Sequence, residues 1–123
     1  MSTGSVGEEK AREYVIRHGF KVLATNYTRR PIGELDIVAE KGGILCFIEV
    51  KASRHFENSS FTPEIRVHDK KAGKLKRICE VYLREHGLEG RKWRIDVISV
   101  ILDEEDRVVK LEHFENAVFA RKY

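Results

Sequence analysis

The chain has 123 residues, 41% of them hydrophobic and 35% charged, with a formal net charge of +3. That length encloses one core and not two, and the composition is that of an ordinary folded domain rather than a disordered or disulfide-stapled one. A small excess of base permits a polyanionic partner without requiring one, so charge placement has to decide.

The opening MSTGSVGEEKAREY lacks the apolar core of a leader, and no later run has the length of a membrane span, so a cytoplasmic protein without a membrane partner is expected. A helix is predicted over about residues 4–18, where Ala11, Tyr14, Val15 and His18 recur at helical spacing and Gly19 supplies a stop. Residues 20–27 read as a strand, broken by Arg29-Arg30-Pro31-Ile32-Gly33. Next, GELDIVAEKGGILCFIEVK, residues 33–51, reads as a hairpin about Gly42-Gly43. Residues 52–66 are polar, with Asn, Ser and Pro, the composition of a long mobile loop. From 69 to 86, Ala72, Leu75, Ile78, Cys79, Tyr82 and Leu83 mark one face of a helix closed by Gly87. Residues 91–102 carry apolar side chains on both faces and read as a central strand. An acidic turn at 103–106 leads to a last strand at about 107–111, and the tail HFENAVFARKY is expected to pack a short helical turn. Cys46 and Cys79 lie far apart inside apolar patterns, as reduced core thiols do. The whole, residues 1–123, is expected to be a single α/β domain with a mixed sheet in the order helix-strand-strand-strand-helix-strand-strand. The second helix is long enough to cross between parallel strands.

Two acids interrupt the apolar runs of the hairpin. A two-residue glycine turn pairs Lys41 with Ile44, which sets Leu35, Ile37 and Ala39 against Val50, Ile48 and Cys46 on an apolar face taken as the core side. On the other face Val38 meets Phe47, Asp36 meets Glu49, and Glu34 meets Lys51. Opposed side chains have β-carbons roughly 4.5–5.5 Å apart, and like charges there destabilise. Two kinds of cation could relieve the pair. Lys51 could join a structural ion-pair cluster, or a hard divalent ion, Mg²⁺ or Mn²⁺, could bridge Asp36 and Glu49 with the backbone carbonyl of Val50 completing the site. A metal so held beside Lys51 has the parts for phosphodiester hydrolysis: the ion lowers the pKa of a bound water, and the ammonium offsets charge at phosphorus. The linear motif alone says little, since Glu8-Glu9-Lys10 and Asp69-Lys70-Lys71 repeat it on predicted helices.

Lys70, Lys74, Arg77 and Arg84 share one face of the second predicted helix, and the run from Lys70 to Arg77, with Lys71, holds five basic residues and no acid. Such a run is most often a solvated face; beside a carboxylate site it is also a surface for phosphates. Arg29, Arg30, Arg54 and His55 lie at the ends of the hairpin strands and could extend it. No aromatic residues interleave, which favours backbone or shape recognition over base reading. His55 and His68 are candidate auxiliary bases whose ordinary role is a surface histidine.

The segment GELDIVAEKGGILCFIEVKAS resembles the signature of the PD-(D/E)XK, restriction-endonuclease-like nuclease superfamily, and specifically of the YraN-like family of small bacterial proteins. The resemblance spans nearly the whole chain. Gly7-Glu8 and Ala11 match on the first helix, Asn26 before the hairpin, Gly33 to Asp36 and Glu49 to Lys51 within it, then Val67 and Lys71, Arg94 to Val97, and Asn116-Ala117. It implies a restriction-endonuclease-like three-layer α/β fold, related in core to archaeal Holliday-junction resolvases. It also implies that Asp36 and Glu49 are metal ligands, that Lys51 is the catalytic lysine, and that Glu8 is a further acid bearing on the metal or its water. For Glu8 the plain alternative is a first-turn helix acid favoured by the helix dipole, and for Glu34 it is an ion pair with Lys51. Ala72 departs from the pattern, since many relatives carry Gln there. The activity implied is that of a Mg²⁺-dependent endodeoxyribonuclease acting on branched or damaged DNA in repair or recombination, with a homodimer compatible with a junction substrate. The alternative is a non-catalytic nucleic-acid-binding protein that keeps the fold.

Overall fold

The computed structural model describes residues 2–55 and 69–117, with the backbone alone at 69 and 70. The first helix, α1 (Thr3–Arg17), begins where the Ser2 hydroxyl accepts the Ser5 N–H at 3.0 Å, and ends at His18 before Gly19 at φ +89°. Its buried stripe is Val6, Gly7, Ala11 and Val15. Then follow β1 (Lys21–Arg29), β2 (Gly33–Lys41), β3 (Ile44–Arg54), α2 (Asp69–Glu85), β4 (Trp93–Leu102) and β5 (Val108–Phe114). This is the predicted order. The strands form one sheet, β1-β2-β3-β4-β5, in which only β3 and β4 run parallel, so α2 is the crossover. No described helix is long and apolar enough to cross a membrane.

Both faces of the sheet are core. Helix α1 covers Ile37, Ala39, Cys46, Ile48, Ile98, Val100 and Leu102, while α2 covers Leu35, Val38, Leu45, Phe47 and Ile95. The result is three layers, and the expectation that only one face of the hairpin is buried is corrected: Val38 and Phe47 are as inaccessible as Ala39 and Cys46. Cys46 and Cys79 are both free and buried.

The expected grouping of Leu35 with Ile37 is also corrected. Leu35 packs under α2 with Val38, while Ile37 packs under α1 with Ala39. At this step β1 and β2 leave one pair unmade while keeping the same register on either side of it; their register shift lies at Val22/Ala24. Their ladder runs Thr25 with Ile37 and Tyr27 with Leu35, leaving out Asn26 and Asp36, and Asn26 stands at φ +51°. Asparagine is among the few residues that tolerate this left-handed conformation. Strict alternation fails at that step, so side chains on either side of it change faces.

Other boundaries differ modestly. β3 runs on to Arg54, so residues 52–54 belong to the sheet, while 56–66 of the expected loop, together with Val67 and His68, lie outside the described residues. β5 is longer than expected and contains His113 and Phe114, which were assigned to a helical turn; 118–123 lie outside the described residues.

Candidate active site

The hairpin has the expected register, with Lys41 paired to Ile44, Ala39 to Cys46, Val38 to Phe47 and Ile37 to Ile48. Gly42 and Gly43 both take positive φ, at +59° and +79°, as a two-residue turn of matching twist requires. The ladder ends at Ile37 and Ile48, however, so Asp36 and Glu49 are not a regular cross-strand pair. The Asp36 carboxylate reaches across and accepts the Val50 N–H at 2.8 Å. A side-chain oxygen thus serves that N–H just where the β2–β3 ladder has ended.

Asp36 is 7% exposed, and the Glu49 side chain 13%. Burial drives the Asp36 pKa up; the Val50 N–H opposes it; the neighbouring charges of Glu49, Glu8 and Glu34 add to the rise, and the outcome is a pKa of about 7. Glu8 is likewise raised, by burial first and then by Glu34 and Glu49. Helix α1 therefore brings Glu8 within electrostatic reach of the hairpin acids. A glycine permits this approach. A β-carbon built on Gly7 would lie 2.4 Å from the Ala52 β-carbon of β3, well inside van der Waals contact. Gly7→Ala is expected to destabilise the fold by about 1–3 kcal/mol through overpacking, and Gly7→Ala/Ala52→Gly to recover most of that loss. Urea denaturation of the four proteins of the cycle measures both, and additive losses would mean that the two sites do not touch.

A cleft of about 590 Å³ opens beside these acids, lined by Glu34, Asp36 and Glu49 from the hairpin and by Lys71, Lys74, Leu75 and Ile78 from α2. A second cleft, about 410 Å³ and lined by Ser5, Glu8, Arg12, Asn26 and Asp36, lies under α1. Asp36 borders both. Lys71 does not merely line the first cleft: its Nζ sits 3.0 Å from Glu49 Oε1. α2 thus contributes a cation to Glu49, a contact that strand pattern could not have revealed because it depends on where the crossover helix lands.

Of the remaining expected residues, some adjoin these acids and others stand apart. Lys51 follows Glu49 by two positions on β3, hence on the same strand face, and pairs with Ser99 of β4. Glu34 pairs with Thr28 of β1, whose hydroxyl lies 3.4 Å from its carboxylate. Arg77 and Arg84 are exposed on α2, and Arg84 stands roughly 20 Å along the helix axis from Lys71. The side chain of Lys70 lies outside the described residues. Arg30 is exposed and adjoins Pro31 at the rim of the larger cleft. Arg54 is held by the Thr3 hydroxyl at 3.1 Å, the Asp106 carboxylate at 2.8 Å and the Asp103 carbonyl, so it ties α1 to the β4–β5 turn. His55 continues β3 with its N–H on the Leu102 carbonyl at 2.7 Å.

Among the described residues no three or more His, Cys, Asp or Glu side chains are gathered to hold a metal ion. Asp36 and Glu49 border one cleft, and one or two carboxylates completed by water are the usual protein anchor for Mg²⁺. An acid whose pKa is pushed up by burial, and further by neighbouring acids, is also a site where added positive charge is favourable.

One further buried acid was missed. Asp96 is wholly inaccessible and accepts from the Asn116 N–H at 2.8 Å and Arg94 Nε at 3.0 Å, with His113 Nε2 2.8 Å from its other oxygen. The signal was present in the sequence, since Asp96 interrupts an apolar strand just as Asp36 does.

Residues 7–100 match a family described as "Uncharacterised protein family UPF0102". The UPF0102 protein of Pelotomaculum thermopropionicum is 41% identical over 114 residues, covering 93% of this chain and 92% of that protein. Those of Moorella thermoacetica and Dictyoglomus turgidum are 38% and 36% identical, over 93% of this chain and 92% and 94% of theirs. With this coverage of both partners and the family match across helix, hairpin and crossover, the chain belongs to the UPF0102 family.

Proposed function

We propose that this protein is a divalent-metal-dependent nuclease that hydrolyses DNA phosphodiester bonds, with branched or damaged DNA as the substrate class. The observation that carries the reading is Asp36: a buried carboxylate, raised to a pKa of about 7, bordering an open cleft with Glu49 and two lysines. An acid kept at such a disadvantage in the metal-free fold suits a site that is completed by a cation. Asp36 and Glu49 would hold Mg²⁺ or Mn²⁺, with the Val50 carbonyl as a third ligand. The ion, when bound, would supply Lewis acidity and a water of lowered pKa.

The chain's own groups then have distinct tasks. The Val50 N–H fixes the orientation of the Asp36 carboxylate. Lys51, on the face of β3 that carries Glu49, would offset charge on the phosphate under attack. Glu8, which shares the electrostatic field of the site, would take up a proton from the attacking water. Lys74, at the cleft, and Arg77, further along α2, would meet the DNA backbone, a contact that gives affinity and salt dependence without sequence preference.

A second reading, a nucleic-acid-binding protein without catalysis, draws support from the Lys71–Glu49 ion pair, which neutralises one candidate ligand. Incubation of linear, flapped and four-way DNA with Mg²⁺ or Mn²⁺ separates the two. Cleavage is expected with the wild type and is expected to fall by about 100-fold or more in Lys51→Ala, the scale of a lost transition-state contact. DNA binding without any Lys51-sensitive cleavage would leave the second reading.

A further inference from the structure

Lys71 occupies a position that a static ion pair explains poorly. Its Nζ is 3.0 Å from Glu49 Oε1, yet its side chain is 53% exposed while that of Glu49 is 13% exposed. A half-exposed lysine held by one carboxylate gains little in stability, because water screens the attraction and the long side chain loses rotamer freedom. The contact is therefore easy to exchange. It also lies inside the cleft, beside Asp36 and one helical turn from Lys74. Any cation that takes Glu49 must displace this ammonium or accept its repulsion. Once displaced, the ammonium stays tethered to α2 at the edge of the same cleft, where an anion would be its next partner.

We propose that Lys71 is an exchangeable counter-ion: it holds Glu49 when the cleft is free and turns to a phosphodiester when a divalent ion takes Glu49. Through this one side chain, metal binding and nucleic-acid binding reinforce one another. The inference rests on the nuclease reading above, since it assumes both ligands meet at this cleft. By linkage, whatever factor nucleic acid adds to metal affinity, the metal adds to nucleic-acid affinity. The lysine thereby makes the metal-loaded site depend on the presence of substrate.

The test uses the full chain, with Mn²⁺ binding followed by electron paramagnetic resonance of the free ion, and a fluorescein-labelled duplex whose binding is followed by anisotropy in Ca²⁺. For Mn²⁺ titrations with nucleic acid present, the duplex carries non-hydrolysable linkages. Lys71→Met is expected to bind Mn²⁺ about threefold to tenfold more tightly than wild type without DNA, and to bind the duplex more weakly by a similar factor. The ratio of Mn²⁺ affinities with and without duplex is expected to fall toward one in Lys71→Met and to be retained in Lys71→Arg, which keeps the charge. Unchanged or weaker Mn²⁺ binding in Lys71→Met, or an unchanged ratio, would overturn the proposal. If the wild type binds Mn²⁺ and duplex but Lys71→Met behaves identically, only this inference fails. If the wild type binds no Mn²⁺ that Asp36→Asn abolishes, or no duplex, the nuclease reading fails with it.

Discussion

Asp36→Asn is expected to stabilise the metal-free protein by about 4 kcal/mol at pH 8 while abolishing the Mn²⁺ binding proposed for it. The Asp36 carboxyl has an ordinary value of 3.8 and titrates at about 7 in the fold. Between those values the folded protein holds a proton that the unfolded chain has released, so stability falls as pH rises, by about 1.4 kcal/mol per pH unit at the steepest. Above pH 7 the full penalty is present; below the unfolded value it is absent. Asparagine cannot ionise, yet its carbonyl oxygen can still accept the Val50 N–H that Asp36 accepts at 2.8 Å. The variant therefore keeps the local geometry and removes the penalty. Urea denaturation with a chelator present, at pH 4.5 and at pH 8, gives the check. A gain at pH 8 that shrinks at pH 4.5 is the expected pattern, whereas a loss of stability at pH 8 would show that the carboxylate is a structural asset.

The hairpin register was legible because it depends on a local feature. Gly42 and Gly43 supply the two positive φ values of the turn, and everything from Lys41–Ile44 to Ile37–Ile48 follows by counting. The α2 crossover was legible for a similar reason: a 3.6-residue apolar stripe between two runs of strand pattern has few alternatives. Counting fails at Asn26 and Asp36. There the β1–β2 ladder skips one pair, Leu35 packs under α2, and a rule of strict alternation assigns it to the wrong layer. Nothing in GELDIV announces the skipped pair; Asn26, with its backbone at φ +51°, stands ten residues away on the neighbouring strand.

The acids of the candidate site were legible as charges set in apolar strands, but the helix cation beside them was not. Lys51 was legible because it follows Glu49 in sequence, whereas Lys71, twenty-two residues after Glu49, lies 3.0 Å from that acid. Its placement depends on the angle at which α2 crosses the sheet, which no periodicity encodes. Arg54 shows the same limit. As a basic residue at a strand end it looked like part of a nucleic-acid surface, yet the Asp103 carbonyl, Thr3 and Asp106 engage its guanidinium. That network holds the start of α1 against the β4–β5 turn, and so bears on the helix that presents Glu8.

Asp96 is the counterpart of Asp36, and substituting it is expected to do the reverse. Burial pushes its pKa up, but the hydrogen bonds from His113, the Asn116 N–H and Arg94 outweigh burial and hold it below the ordinary value. Its ionised form therefore stabilises the fold at any pH above the unfolded value of 3.8, and that contribution disappears as pH falls through the folded value. Asp96→Ala leaves the Asn116 N–H, His113 and Arg94 facing an empty, dry position, and is expected to cost about 3–5 kcal/mol at pH 7. Asp96→Asn keeps one acceptor but places an amide N–H₂ toward groups that also donate, so about 1–3 kcal/mol is expected for it. Tyr14 links the cluster to α1, since its hydroxyl lies 3.4 Å from His113 Nδ1, and the edge-on ring contact between the two has centroids 5.6 Å apart. Loss of Asp96 should thus loosen both the end of β5 and the seating of α1. Hydrogen exchange at Ile95, Asn116 and Ala117 alongside urea denaturation reads the two effects separately. Asp96 projects to the α1 face while Glu49 faces the α2 cleft, so Mn²⁺ affinity per folded molecule is expected to be unchanged in Asp96→Asn. A loss below about 1 kcal/mol in Asp96→Ala would mean that solvent reaches the cluster and satisfies its donors.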